Sequence, residues 1–371
     1  MRAIGVTPNQ RQIALIDHPE PKILAANQVK IRTLDVGICG TDKEICHFDY
    51  GTPPVDSDYL VLGHEGLGEV VEVGDAVSEL EHGDLVVPSV RRPCLHERCA
   101  PCREDLQDFC FTGDFTERGI KMTHGFMTEY FVEEEKYLAP VPGELRDVGV
   151  LVEPLTVAEK GLTQMFRIQQ RLPWACPATA GNGPGHSRRA VVVGAGAVGI
   201  LGAMKFVAEG FDTYVYSRSQ APNLKSDLVE SFGAKYLSSE TCSTEALAER
   251  VGNIDVVYEA VGVPRISFDV MKVLGMNGIF IFTGIPAWRK KPIDVDADLI
   301  MRNMVLKNQL VVGTVNADRD AFESAISDLG VFAQRWPQAL RSLITGRYSI
   351  GSYRDLLLGD KKGIKNVVSF A

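Results

Sequence analysis

Apolar and polar residues alternate in short stretches through residues 1 to about 150, where Val and Ile runs are broken by Gly and Pro. Val29-Lys30-Ile31-Arg32-Thr33-Leu34 and Glu69-Val70-Val71-Glu72-Val73-Gly74 are examples, and the period predicts a strand-rich domain. From Leu151 the period changes. Val152 to Gln170 has helical spacing, and the Pro, Gly, Ala and Ser residues of 173–189 predict a loop. From Ala190 apolar runs at 190–193, 213–216, 254–258 and 279–283 alternate with helical stretches near 198–209, 224–232, 244–251 and 265–275. That alternation predicts an α/β domain, a parallel sheet covered by helices on both faces. Beyond about residue 312, Phe322, Ala325, Ile326 and Leu329 keep helical spacing into a short closing region, and no internal repeat is present.

Composition narrows the class. A chain of 371 residues exceeds what one core usually serves, so two domains are expected. The formal charge of -9 argues against a broad nucleic-acid or acidic-lipid surface, and the expected partner is a small molecule. The longest apolar run, Ala190 to Met204, is too short for a membrane span, and Met1 to Pro8 has no signal-like apolar core, so a cytoplasmic setting is expected. Four of the eight cysteines cluster as Cys94, Cys99, Cys102 and Cys110, which in that setting favours metal over disulfides.

The run Ala190-Val191-Val192-Val193 enters Gly194-Ala195-Gly196-Ala197-Val198-Gly199 and then a helix, the context a dinucleotide-binding Gly-x-Gly-x-x-Gly needs. The first Gly permits a tight turn, the second lets backbone approach a pyrophosphate, and the third lets the helix pack close. The next strand ends in Ser217-Arg218-Ser219, where an NAD site would usually place a carboxylate. An uncharged Ser followed by Arg favours the 2′-phosphate of NADP, with NAD still open.

Cys39, in Gly37-Ile38-Cys39-Gly40-Thr41-Asp42, and His64, in Gly63-His64-Glu65-Gly66-Leu67-Gly68, are ligand types that suit a catalytic zinc. A buried thiol and a core imidazole are the plain alternative. The stretch Gly63-His64-Glu65-x-x-Gly68-x5-Gly74-x-x-Val77 resembles the zinc signature of the medium-chain alcohol dehydrogenase superfamily. Cys39 precedes it and the glycine fingerprint follows in that family's order, so the resemblance covers the whole chain. It implies a GroES-like catalytic domain over 1–186 and 313–371 and an inserted Rossmann doubly wound domain over 187–312.

Val90-Arg91-Arg92-Pro93, Phe115 to Ile120, Val152-Glu153-Pro154-Leu155 with Glu159-Lys160, and Gly313-Thr314-Val315-Asn316 resemble the archaeal-type glucose dehydrogenase branch. That resemblance implies catalytic zinc on Cys39, His64, Glu65 and, directly or through water, Glu153. It also implies a structural zinc on the Cys lobe, with either Cys94 or His96 as first ligand ahead of Cys99, Cys102 and Cys110. Sugar binding is assigned by the same resemblance to Thr41, Ser89, Glu117, Glu153 and Asn316, and cofactor contacts to the glycine turn, Ser217, Arg218, Ser219, Thr283 and Asn316. The implied reaction is oxidation of an aldose at C1 to its lactone with NADP or NAD as acceptor. Thr41 is placed for proton removal; Glu44 stands where relatives carry a relay His, and His47 is a nearby substitute.

Rival expectations are a polyol, threonine or simple alcohol dehydrogenase of the same superfamily and, more remotely, a zinc-free quinone reductase or a non-catalytic nucleotide-binding protein. A homo-oligomer, dimer or tetramer, is expected by resemblance alone. Cys46, Cys176 and Cys242 take no role in this scheme.

Overall fold

The computed structural model describes residues 1–172, 184–287, 292–360 and 362–370. Cys176 and most of the expected loop at 173–189 lie outside the described residues. Two compact units emerge, Met1–Thr156 with Asn316–Ala371, and Val157–Val315. The helix Val152–Gln169 begins in the first and ends in the second, so the units divide inside it, whereas the expected domain boundary fell at 186.

In the first unit a seven-stranded sheet is organised around Gln28–Gly37. This strand alternates buried and partly exposed positions at its start and becomes buried on both faces from Thr33 onward. It pairs antiparallel with Glu65–Val73 on one side and with Lys365–Ser369 on the other. The C-terminal residues therefore complete the sheet that the N-terminal residues begin. Ile4, Ile31, Val36, Leu62, Phe126 and Val368 pack in its core. Register brings Glu65 opposite Gly37 and Val367 opposite Gly37 from the other flank. A Cβ on Gly37 would lie 2.0 Å from Glu65 Oε2, so only glycine leaves room for that carboxylate between the strands.

The second unit holds a six-stranded sheet in the order Lys235–Ser238, Asp212–Ser217, Arg189–Val193, Val256–Glu259, Ile279–Phe282, Leu310–Gly313. All neighbours are parallel. In chain order this is the Rossmann arrangement, which reverses direction between the first and fourth strands and opens a crevice at their carboxyl ends. Ala190 to Val193 are almost fully buried, as a strand covered on both faces requires. The expected strand at 254–258 is Val256–Glu259, and Ile254 and Asp255 lead into it, with the Asp255 N–H already donating across to the Arg189 carbonyl of the neighbouring strand. Two strands and a helix were not expected from the pattern: Lys235–Ser238, Leu310–Gly313 and Ala297–Leu306. The first mixes Lys and Ser with two apolar residues, and the helix buries no residue, so neither carries a clear stripe. Among the described residues no helix is long and apolar enough to cross a membrane.

Candidate active site

Strand Gln28–Gly37 delivers Ile38 and Cys39, and Cys39 caps the helix Gly40–Cys46 in extended conformation. Its sulfur receives the Asp42 N–H, while Asp42 Oδ2 accepts the Cys39 N–H at 2.9 Å, a reciprocal capping box. Asp42 Oδ1 lies 3.4 Å from Nδ1 of His64, so one fully buried carboxylate steadies both the Cys39 backbone and the imidazole. Donor atoms of Cys39, His64 and Glu65 all lie within 4.8 Å of one another. Burial disfavours the charged imidazole, but Asp42 and the Cys39 sulfur outweigh it and hold the His64 pKa well above the usual value. A buried cluster in which the Cys39 sulfur and the Asp42 carboxylate draw positive charge onto an imidazole is one that a divalent cation neutralises. The donor set thus fits zinc.

Glu65 is buried, and Lys365 Nζ lies 2.7 and 2.5 Å from its two oxygens while also donating to the Ile38 carbonyl at 3.2 Å. The carboxylate expected on zinc is therefore shared with a buried ammonium from the last strand. Glu153 opens the helix Val152–Gln169 and is not part of the 4.8 Å donor group. It is tied to that group through charge: burial and the Glu65 carboxylate push its pKa up to about 7, against the pull of His64 and Lys365. Thr41 Oγ1 stands 3.9 Å from Cys39 Sγ. His47 is exposed, with Nδ1 2.7 Å from the Lys43 carbonyl, which turns the suggested relay substitute back onto its own helix. Cys46 is a core residue whose thiol burial pushes up to about 12, and Cys242 is buried in the second unit's core.

Two further expected residues meet directly. Asn316 Nδ2 donates to Glu117 Oε1 at 2.9 Å, and Asn316 Oδ1 accepts the Ala317 N–H at 2.9 Å. Asn316 holds φ 60°, a left-handed conformation that Asn tolerates better than most residues. Glu117 is buried and also pairs with Arg91. Ser89 is placed differently. Its Oγ accepts from Arg92 at 3.2 Å, and Arg92 pairs in turn with the buried Glu133, which Arg118 also holds. Those two guanidiniums outweigh burial and keep the Glu133 carboxyl at about 2.

Sulfur atoms of Cys94, Cys99, Cys102 and Cys110 all lie within 4.8 Å of one another, with Cys99 and Cys110 3.8 Å apart and no disulfide formed among them. Burial raises the Cys110 thiol, but the Thr112 hydroxyl and the Thr112 and Gly113 amides overcome it and bring the pKa down to about 6. Four convergent cysteine sulfurs suit a closed tetrahedral zinc. His96 is exposed and 2.5 Å from Asp114 Oδ2, so Cys94 is the first member of the group.

In the second unit each glycine of the fingerprint has its own geometry. Gly194 has φ 109°, and its N–H donates to the Tyr216 carbonyl. A Cβ on Gly199 would lie 2.2 Å from the Gly194 carbonyl, so the turn and the helix Ala197–Ala208 close onto each other. A Cβ on Gly196 would meet no atom within 4 Å. Nothing in the protein itself fills that space, which fits the close approach of a pyrophosphate. Strand Asp212–Ser217 ends at the expected ribose position, with Arg218 and Ser219 exposed and Ser238 Oγ donating to the Arg218 carbonyl at 2.7 Å. Thr283 Oγ1 donates to the Glu259 carbonyl at 2.7 Å beside this crevice.

Residues 25–143 match the model of the alcohol dehydrogenase GroES-like domain, and residues 146–370 match that of the glucose dehydrogenase C-terminus. The chain is 36% identical to a glucose 1-dehydrogenase of Methanocella arvoryzae over 99% of both chains. It belongs to the glucose dehydrogenase family. A Haloferax mediterranei glucose dehydrogenase, solved in complex with NADP, Zn and gluconolactone, superimposes with a TM-score of 0.87 at 31% identity, covering 100% of this chain and 99% of that one. A 2R,3R-butanediol dehydrogenase from Bacillus subtilis shares the fold at a TM-score of 0.76 and 24% identity, over 100% of this chain and 99% of its own. As a member of the glucose dehydrogenase family, the chain is an NAD(P)-dependent zinc dehydrogenase with a GroES-like domain and a Rossmann domain.

Sequence reasoning missed Asp42 and Lys365 in this family member's catalytic cluster, and Arg91 beside Glu117. A signal existed for Asp42, since Cys39-x-x-Asp42 has capping-box spacing ahead of a helix. Lys365 is 300 residues from Glu65 and reaches it only through sheet pairing.

Proposed function

We propose that the protein oxidises an aldose, D-glucose in the first place and galactose or xylose as related substrates, at C1 to the lactone, passing hydride to NADP or NAD. The observation that carries this reading is the hydrogen-bonded pair of buried Glu117 and half-buried Asn316, in the same unit as the Cys39–His64–Glu65 cluster. The bonds within the pair use Glu117 Oε1 and leave Oε2 for a ligand, so an apolar alcohol leaves that carboxylate oxygen unpaired while a substrate with several hydroxyls donates to it. The M. arvoryzae and H. mediterranei relatives, by their descriptions, support the same substrate.

Zinc, which Cys39, His64 and Glu65 would hold with Glu153 directly or through water, would supply Lewis acidity toward the C1 hydroxyl oxygen, and the nicotinamide would supply the hydride acceptor. The Thr41 hydroxyl would act as a relay, accepting the C1 hydroxyl proton at Oγ1 as its own proton passes to solvent. Glu117 and Asn316 orient the ring hydroxyls, with Ser89 less directly engaged because Arg92 occupies its hydroxyl. Gly194, Gly196, Ala197, Val198 and Gly199 present the turn and helix N-terminus to the pyrophosphate. Ser217, Arg218 and Ser219 receive a 2′-phosphate, and Thr283 serves the cofactor's other end.

The test is initial rates of NADP⁺ and NAD⁺ reduction against glucose, galactose, xylose, sorbitol, threonine and ethanol, with and without a zinc chelator. Chelator-sensitive turnover of aldoses is the expected result. Preference for polyols, threonine or ethanol overturns the sugar assignment.

A further inference from the structure

Three hydrogen bonds converge on one oxygen of Glu117: from Arg91 Nε at 3.1 Å, from Arg91 Nη2 at 2.9 Å and from Asn316 Nδ2 at 2.9 Å. The remaining guanidinium nitrogen, Nη1, donates to the Asp108 carbonyl at 3.1 Å. Asp108 lies in the single 3₁₀ turn Gln107–Phe109, which runs directly into Cys110 of the four-thiol lobe. The face of the guanidinium stacks on Phe115, 3.6 Å from the ring centroid, and Lys121 Nζ sits 4.2 Å from the same ring. Arg91 is 5% exposed and stands directly across from Glu117 in the antiparallel pair Arg91–Arg92 and Thr116–Arg118.

An arginine with all three nitrogens committed and its face stacked has one orientation, so its planar fork transmits position as a lysine does not. We propose that Arg91 is a positioning residue for sugar recognition, fixing Glu117 against the backbone of the Cys lobe so that Oε2 meets a sugar hydroxyl at a set angle. The proposal rests on the reading of Glu117 as a sugar ligand. Arg91 spends its donors on Glu117 Oε1 and the Asp108 carbonyl, so it acts through Glu117 and not on the sugar. Its loss therefore weakens sugar binding only while Glu117 is present, and leaves the hydride step largely intact.

The experiment is a cycle on the zinc-loaded holoenzyme with the parent, Arg91→Lys, Glu117→Gln and the double variant. It records kcat and KM for glucose, KM for NADP⁺, and the gluconolactone dissociation constant by calorimetry, which reads binding without turnover. Lys keeps a cation beside Glu117 but cannot also reach the Asp108 carbonyl in a fork. If Lys disrupts folding, Arg91→Gln, neutral and still a donor, repeats the cycle. Expected is a rise of tenfold or more in glucose KM and lactone dissociation constant for Arg91→Lys, with kcat and the NADP⁺ KM within threefold of the parent. The double variant is expected within threefold of Glu117→Gln alone. Losses that multiply in the double variant, or an Arg91→Lys protein that binds lactone normally while Glu117→Gln does not, overturn the positioning role. If Glu117→Gln itself leaves glucose KM unchanged, the sugar-ligand reading of Glu117 fails and takes the proposal with it.

Discussion

Replacing Lys365 by Met strands the Glu65 carboxylate, which is 1% exposed and has both oxygens on that ammonium. Breaking one side of a buried ion pair costs roughly 3–5 kcal/mol. A ceiling follows from proton uptake. A carboxylate left alone in the interior escapes by protonation, which at pH 7 costs about 1.4 kcal/mol for each unit above an ordinary carboxylic pKa near 4.3, close to 4 kcal/mol in all. For a domain of this size that corresponds to a melting temperature lower by roughly 8–16 °C in the zinc-free protein. The sign with pH is fixed by the same reasoning. The folded variant holds a proton that its unfolded chain has released, so its deficit relative to the parent grows as pH rises and shrinks by about 1.4 kcal/mol per unit as pH falls toward 4.3. Zinc offers the stranded carboxylate a new partner, so it is expected to raise the variant's melting temperature more than the parent's. Calorimetry of zinc-free and zinc-loaded protein at pH 5 and pH 7.5 reads all three effects. A zinc-free variant that melts within 2 °C of the parent at pH 7.5, or a deficit equal at both pH values, refutes the reasoning.

Further outcomes follow from single residues. His124 accepts the Val61 N–H at Nδ1 (3.1 Å) and stacks on Tyr59, and burial with the neighbouring His18 and Arg118 holds its pKa at about 4. Its stabilising contribution is complete above the unfolded value of 6.5 and is lost as pH falls through 4. Partial exposure discounts that loss to roughly 1–2 kcal/mol, and His124→Asn, which keeps an acceptor without a charge, is expected to remove it from denaturation curves at pH 4 and pH 7; an unaltered pH slope contradicts this. Gly196→Ala is expected to leave melting of the cofactor-free protein unchanged while weakening NADP binding at least tenfold, whereas Gly199→Ala, with its Cβ 2.2 Å from the Gly194 carbonyl, loses stability as well. Equal melting of the two variants counts against the assigned glycine roles. Arg218→Ala is expected to raise KM for NADP⁺ at least tenfold with little change for NAD⁺, and a parallel change in both places the 2′-phosphate elsewhere.

The sequence reveals those parts of the protein that local backbone geometry dictates. The Gly194 turn, the burial of Ala190 to Val193 and the helical period of Val152 to Gln169 are set by neighbours in the chain, and each was readable. Cys39, His64 and Glu65 were readable as a group because their spacing matched a known signature, and the structure brings them within 4.8 Å. What decides Glu65's surroundings was not readable. Lys365 reaches it only because Lys365–Ser369 and Glu65–Val73 flank the same strand, a pairing that no local period encodes. The choice between Cys94 and His96 was open for a related reason. Spacing counts residues, while the fold of the lobe sends His96 outward to Asp114 and Cys94 inward to the other thiols. Ser89 shows the reverse case, in which a polar residue near the expected substrate positions is occupied by the Arg92–Glu133 network.

The most direct measurement uses glucose carrying deuterium at C1, with NADP⁺ as acceptor and the zinc-loaded enzyme. The label is expected in the reduced nicotinamide, with gluconolactone formed in equal amount and turnover slowed relative to unlabelled glucose when hydride transfer limits the rate. Reduced cofactor free of deuterium, with the label retained in the sugar product, contradicts oxidation at C1.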